Sequence, residues 1–144
     1  MLTGQLALTT AAIFTGAAVY LSLCEQPARL QLDERALLTE WKPSYKHGTT
    51  MQAPLALIGT ALGFAAWWQV GDWRWLAGAI VFISAWPYTL LFIKPTNDEL
   101  MAIQPGSAGA RVRTLIEKWG VLHAGRSGIG VLTTILFLWA SLRA

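Results

Sequence analysis

The sequence predicts an all-α protein, a bundle of four transmembrane helices with amphipathic extensions gathered at one end. Three observations carry this reading. The 144 residues are 54% hydrophobic and only 13% charged, where soluble domains carry about 25% charged residues. Four apolar stretches are each long enough, or nearly so, to cross a hydrocarbon core of about 30 Å. The eight Trp and 13 Gly suit interfacial aromatic belts and close helix packing. The length fits one integral membrane domain over residues 1–144, with spans at 4–24, 48–70, 75–93 and 120–142.

The first span is free of charge from Met1 to Cys24. A secretory signal opens on basic residues, and Met1–Gln5 has none, so the stretch reads as a retained helix. Ala12 and Gly16 form a small-xxx-small pair beside a stripe of Ala11, Thr15, Ala18 and Ser22, a face suited to meeting another helix. Pro27 disfavours helical geometry at Gln26, which predicts an end near Glu25. Arg29 is near enough in sequence to pair with Glu25.

Leu32–Trp41 alternates Leu32, Leu37, Leu38 and Trp41 with Asp33, Glu34 and Glu40, the pattern of an interfacial amphipathic helix. Pro43 is expected to break or kink it. Tyr45, Lys46 and His47 then lead into the second span, where Gly59 and Gly63 mark a packing face and Trp67–Trp68 an interface. The connection Gly71–Arg74 is too short for anything but antiparallel neighbours. The third span holds Trp86–Thr89, with a kink expected at Pro87. Thr96 and Glu99 match a capping box and predict a new short helix. Gln104–Gly109 reads as a turn. A basic amphipathic stretch, Arg111–Trp119, then runs into the fourth span, with Ala124 and Gly128 as a packing pair.

The fourth span locates the chemistry. Ser127 to Leu142 is a charge-free run of 16 residues, roughly 24 Å of helix at about 1.5 Å per residue. The span must therefore include residues before Ser127, which draws Arg126 and His123 to the membrane boundary. Trp119, His123 and Arg126 share one helix face. An arginine there either snorkels to water or faces a polar cavity.

Positive charge is unevenly placed. The two long connections and their flanks hold Arg29, Arg35, Lys42, Lys46, Lys94, Arg111, Arg113, Lys118 and Arg126; the other side holds Arg74 and Arg143. The positive-inside rule makes the long basic loops cytoplasmic and puts both termini on the opposite side. Glu25, Arg29, Tyr45, His47, Asn97, Trp119, His123 and Arg126 all map to the long-loop end, as does Pro87. That asymmetry predicts a polar pocket at one end of the bundle.

The chain lacks a P-loop and a dinucleotide fingerprint, and nothing points to nucleic acid. One cysteine, Cys24, makes no intrachain disulfide. His47, His123 and Glu25 form a sparse alternative set for a metal, without motif spacing. A non-enzymatic role also stands open: an accessory or scaffold protein in which Trp, Arg, His and Asn serve as belt, snorkel and caps.

A resemblance sharpens the functional reading. Ala11–Ala18, Glu25–Arg29, Trp41–Tyr45, Met51–Gln52, Pro87–Leu91, Pro95–Asn97 and Lys118–Arg126 together resemble the anthrone-oxygenase-like family of small membrane proteins, over nearly the whole chain. Pro95–Asn97 and Trp119–Arg126 are the sharpest matches. The resemblance implies oxidation of an apolar aromatic, polyketide-type substrate by molecular oxygen, with no bound cofactor, at a site reached from the lipid bilayer. That chemistry needs a base, for which His123 and His47 are the candidates, a cation for the developing anions, for which Arg126 and Arg29 are, and an orienting amide, for which Asn97 is. Glu25, Arg29, Tyr45, Gln52, Tyr88 and Trp119 are the expected substrate-binding residues. Several fungal members carry Asn where this chain has His123, which leaves the base open between the two histidines. A homo-oligomer is compatible with all of this.

Overall fold

A computed structural model of the protein describes residues 1–142; Arg143, one of the two basic residues counted on the short-loop side, lies outside the described residues. Four long helices make up the fold: α1 Leu2–Arg29, α2 Glu34–Val70, α3 Trp73–Ala102 and α4 Ala110–Ser141. Each is long and apolar enough to cross a bilayer. They form a closed ring in which α1 packs on α2 and α4, and α3 packs on the same two helices. Leu2, Leu23, Leu91, Val121 and Ile135 point outward with most of their surface free, which suits lipid contact.

Small residues bring the helices together. A Cβ on Gly59 would sit 2.3 Å from the Phe82 ring, and one on Gly63 or Gly78 would sit 2.6 or 2.5 Å from Phe137. Phe137 of α4 thus fills a slot that exists because α2 and α3 have glycine there. On α1 the packing stripe is Ala11, Thr15, Ala18 and Ser22: Ala11 and Ala18 are fully buried, and Thr15 bonds Thr134 of α4 at 2.9 Å. Ala12 and Gly16 face outward instead, as do Ala124 and Gly128 on α4. The close approaches on α4 occur at Gly120, against Gln26, at Gly125, against Tyr88, and at Gly130, against Thr15 and Phe14.

Three expected helix boundaries are absent. α1 runs past Glu25 to Arg29, and α3 runs past Ile93 to Ala102. In each, one π turn, Leu21–Glu25 or Thr89–Ile93, ends two residues before a proline. Proline lacks an N–H, and its ring presses on the carbonyl four residues earlier. A wider turn just upstream gives that ring room, so the helix bends its hydrogen bonding instead of stopping. Thr96 is consequently no cap; it is buried inside α3. Regularity also lapses at Ser84, where α3 has a one-residue turn, close to the disturbance expected at Pro87. α2 carries Pro43 and Pro54 in its interior without interruption, so the amphipathic stretch and the second span are one helix.

The short connection forms as expected, with Gly71 at φ 70° and Asp72 capping the next helix through Arg74 N–H at 3.0 Å. The Arg74 side chain, hydrogen-bonded to Asp72, holds that carboxyl below the usual carboxylate range. At the other end the loops are stapled down. Arg113 donates to the Leu30 carbonyl at 2.8 Å, the Leu32 carbonyl at 2.6 Å and the Glu34 carboxylate at 2.9 Å. Lys42 donates to the Met101 and Ile103 carbonyls, closing the end of α3. Two buried clusters result. One, around Phe14, Trp75, Phe82 and Phe137, fills the bundle. The other, around Leu37, Leu38, Trp41, Leu100, Ile116 and Trp119, fills the long-loop end. The polar site lies where they meet.

Candidate functional site

Between the two clusters lies a two-lobed cavity. The inner lobe, about 60 Å³, takes residues from all four helices: Leu21 of α1, Ser44, Tyr45, Gly48, Thr49 and Gln52 of α2, Thr89, Ile93 and Asn97 of α3, and Trp119, His123 and Arg126 of α4. The outer lobe, about 150 Å³, opens between α2 and α3 past Thr49, Ala53, Trp86, Leu90 and Lys94. Tyr45, Thr49, Thr89, Asn97 and Arg126 line both lobes. Thr49, Leu90 and Lys94 are exposed at the mouth.

Arg126 is the electrostatic centre. Its residue is 8% exposed, its guanidinium sits 5.3 Å from the centre of the Phe14 ring, and among the described residues it has no hydrogen bond or ion pair. Its Nε, the Asn97 Oδ1 and the Gln52 Oε1 are buried without a protein partner. Buried polar atoms are nearly always satisfied, and an unpaired buried cation is costly. Arg126 Nε calls for an acceptor or an anion and the two amide oxygens call for a hydrogen-bond donor, so the three together suit a guest that carries both a carbonyl oxygen and a hydroxyl.

Arg29 is different, although also buried at 2% exposure. It pairs with Glu25 and with Glu40, the latter at 3.1 Å, and donates to Ser44 Oγ at 2.9 Å. Ser44 in turn donates to Glu25 at 2.5 Å. Glu25 is therefore bound to Arg29, as its sequence position allowed, and Arg126 is left alone. Arg29 also lies 5.5 Å over the Trp119 ring. That network supports the wall from behind, with the charge of Arg29 paired to two carboxylates.

Aromatic rings form the rest of the wall. Tyr45 stacks on Trp41 at 5.0 Å and 4°, Trp41 meets Trp119 edge-on at 5.8 Å, and Trp119 stacks on His123 at 5.0 Å and 25°. His123 is 4% exposed, and its Nδ1 lies 3.2 Å from Ser22 Oγ. Tyr88 stands outside the lining of both lobes. Its hydroxyl donates to the Leu122 carbonyl at 2.6 Å, against the bare backbone of Gly125.

The cavity thus gathers Tyr45, Gln52, Asn97, Trp119, His123 and Arg126. His47 does not join them. It is exposed and lines a separate groove between α1 and α2 with Glu25, Ser44 and Gln52. No three metal-ligating side chains come together among the described residues, so the set His47, His123 and Glu25 forms no metal centre: His47 and Glu25 line the groove between α1 and α2, and His123 lines the cavity. Sequence reasoning missed Ser44, Thr49 and Thr89 as lining residues and Glu40 as a partner of Arg29. Small hydroxylated residues inside apolar helices give no signal of direction, and the Arg29–Glu40 contact crosses from one helix to another.

Residues 41–136 match the family described as anthrone oxygenase. The chain belongs to the anthrone oxygenase family. An anthrone oxygenase of Claviceps purpurea is 30% identical over 135 residues, spanning 84% of this chain and 78% of that protein. An anthrone oxygenase of a Cryptosporiopsis species is 30% identical over 133 residues, spanning 87% of this chain and 77% of the relative. A noranthrone monooxygenase of Aspergillus flavus is 31% identical over 105 residues, spanning 68% of this chain and 50% of that protein. No solved structure matches the chain. The family segment contains every lining residue of the cavity except Leu21 of α1.

Proposed function

We propose that this anthrone-oxygenase-family protein oxidises an apolar aromatic ketone with an acidic methylene group, using molecular oxygen and the Arg126 cavity. The observation that supports this most is the buried guanidinium of Arg126, without a partner among the described residues, in the same cavity lining as Asn97 and the imidazole of His123. The outer lobe, about 150 Å³, is the size that accepts a benzene ring. The reacting methylene would then sit toward the inner lobe, which His123 lines, and the remaining rings of a fused substrate would lie in the mouth between α2 and α3.

The chemistry follows from the residues. His123 removes a proton from the methylene carbon, and the electron pair moves through the ring to the carbonyl oxygen. Arg126, with the Asn97 amide in the same lining, stabilises the oxyanion, a charge that exists only after proton transfer. The electron-rich anion gives one electron to oxygen, and the resulting radical and superoxide couple to a peroxide. That peroxide regains the proton and loses water, leaving a second carbonyl. In balance, one methylene compound and one dioxygen become one quinone and one water. Trp119, Trp41 and Tyr45 keep the site apolar around the reacting atoms. His47, which lines neither lobe of the cavity, is outside this scheme.

The same reading makes the protein integral to a membrane, with the long basic loops cytoplasmic and the termini opposite. A reporter joined to the C-terminus is expected to be active only on the non-cytoplasmic side. The function is tested with purified protein in lipid nanodiscs and anthrone as probe. Quinone formation matched one to one by oxygen uptake is expected; no acceleration over protein-free nanodiscs on any anthrone would refute it.

A further inference from the structure

An imidazole can act as a base only through the nitrogen that lacks a proton. In this protein the serines behind His123 decide which one that is. His123 Nδ1 lies 3.2 Å from Ser22 Oγ. Ser22 Oγ lies 2.9 Å from Ser127 Oγ. Ser127 Oγ lies 3.0 Å from the Ala18 carbonyl oxygen and 3.4 Å from the carbonyl of its own helix at His123.

Each hydroxyl has one proton to donate, and a carbonyl oxygen has none. The contact between Ser127 and Ala18 therefore uses the Ser127 proton. The contact between Ser127 and Ser22 must then use the Ser22 proton. Ser22 has nothing left to donate to the ring, so the contact with His123 requires the proton to sit on Nδ1. The opposite order would turn Ser127 lone pairs toward the Ala18 carbonyl at 3.0 Å, with no hydrogen between two acceptors. Rotating the ring offers no escape. It would exchange Nδ1 for a carbon and lose the serine contact, while Trp119 stacks against its face at 5.0 Å.

We propose that Ser22 and Ser127 are positioning residues that hold His123 in its Nδ1–H tautomer, leaving Nε2 as the free base on the side of the ring away from Ser22. Ser22 is placed for this by the π turn of α1, Leu21–Glu25, and Ser127 follows His123 by one helical turn. π turns inside α-helices recur at functional sites. The tautomer stands on the hydrogen-bond chain alone; its catalytic use rests on the oxidation reading above.

The two histidines of the chain make the test direct. Protein labelled with ¹⁵N in the imidazole rings is placed in nanodiscs, and long-range proton–nitrogen spectra identify the protonated nitrogen. The His123 signals are those lost in His123→Asn. The parent is expected to show protonated Nδ1 and bare Nε2. Ser22→Ala is expected to populate the Nε2–H form, and Ser22→Thr to restore the parent pattern. A parent His123 protonated at Nε2, or at both nitrogens, would overturn the proposal. In the same samples Ser22→Ala is expected to lower kcat on anthrone at least about tenfold, part of the roughly 10²–10⁴-fold effect of a general base, with KM unchanged and Ser22→Thr near the parent. A tautomer shift in Ser22→Ala without loss of kcat would overturn the positioning role. Parent protein with Nδ1–H but no turnover would instead refute the oxidation reading and uphold the tautomer.

Discussion

Replacing Arg126 by Met should stabilise the protein while abolishing its oxidation chemistry. Arg126 is buried with no carboxylate partner among the described residues, since Glu25 and Glu40 are both taken by Arg29. A buried charge costs several kcal/mol after relaxation, and its attraction to the Phe14 ring at 5.3 Å returns about 0.5–2 kcal/mol. Methionine keeps much of the arginine stem's packing and removes the charge. The balance is a gain of about 1–3 kcal/mol from the difference of those terms. Thermal unfolding in detergent, followed by the fluorescence of the eight tryptophans, should therefore shift upward. Arg126→Lys should sit near the parent in stability but lose activity, because a point charge does not replace the planar fork. If Arg126→Met instead unfolded several degrees below the parent, Arg126 would have a structural anion partner, and the argument for a charge held for substrate would fail.

Further tests address the packing, the mouth and the short loop. Gly125→Ala puts a Cβ 2.2 Å from the Tyr88 hydroxyl and should cost about 1–3 kcal/mol by overpacking; Tyr88→Phe in the same chain should recover part of that loss, a coupling read from a double-mutant cycle. Ala53→Trp should fill the mouth between α2 and α3, raising KM for a three-ring substrate while leaving the melting temperature near that of the parent. The Asp72 carboxyl is held below its usual range by Arg74, so its contribution to stability is complete above about pH 4 and lost as pH falls through the lower folded value. Asp72→Asn should flatten the acid limb of the stability curve measured at low salt.

Much of this architecture is legible in the chain because membrane helices are written in simple terms. Length without charge gives the four helices, and a four-residue connection gives an antiparallel pair. The gathering of Trp119, His123 and Arg126 was readable from helical spacing and from the shortness of the run after Ser127, and Asn97 from its place at the same end and the family-like Pro95–Asn97 match. The prolines misled for a physical reason. Pro27 and Pro95 do forbid a regular α-turn, but a π turn two residues upstream satisfies the same constraint without ending the helix. Polar pairing was the least legible. Arg29 has Glu25 four residues away as a readable partner. The approach of Glu40 from α2, which adds to that pairing, and the lack of any carboxylate beside Arg126 among the described residues are set by the packing of the helices. Ser22 read as a packing residue, because its bond to His123 joins positions 101 residues apart.

The central claim is that the Arg126 cavity performs the oxidation with His123 as its base. It is tested most directly by single-turnover kinetics of parent and His123→Asn protein in nanodiscs, with anthrone and dissolved oxygen. Asparagine keeps a polar group beside Ser22 but removes the base. The parent should convert anthrone to quinone with one oxygen consumed, and His123→Asn, folded and in the membrane, should be slower by about 10²–10⁴-fold. Equal rates in the two proteins would contradict the account and remove His123 from the chemistry.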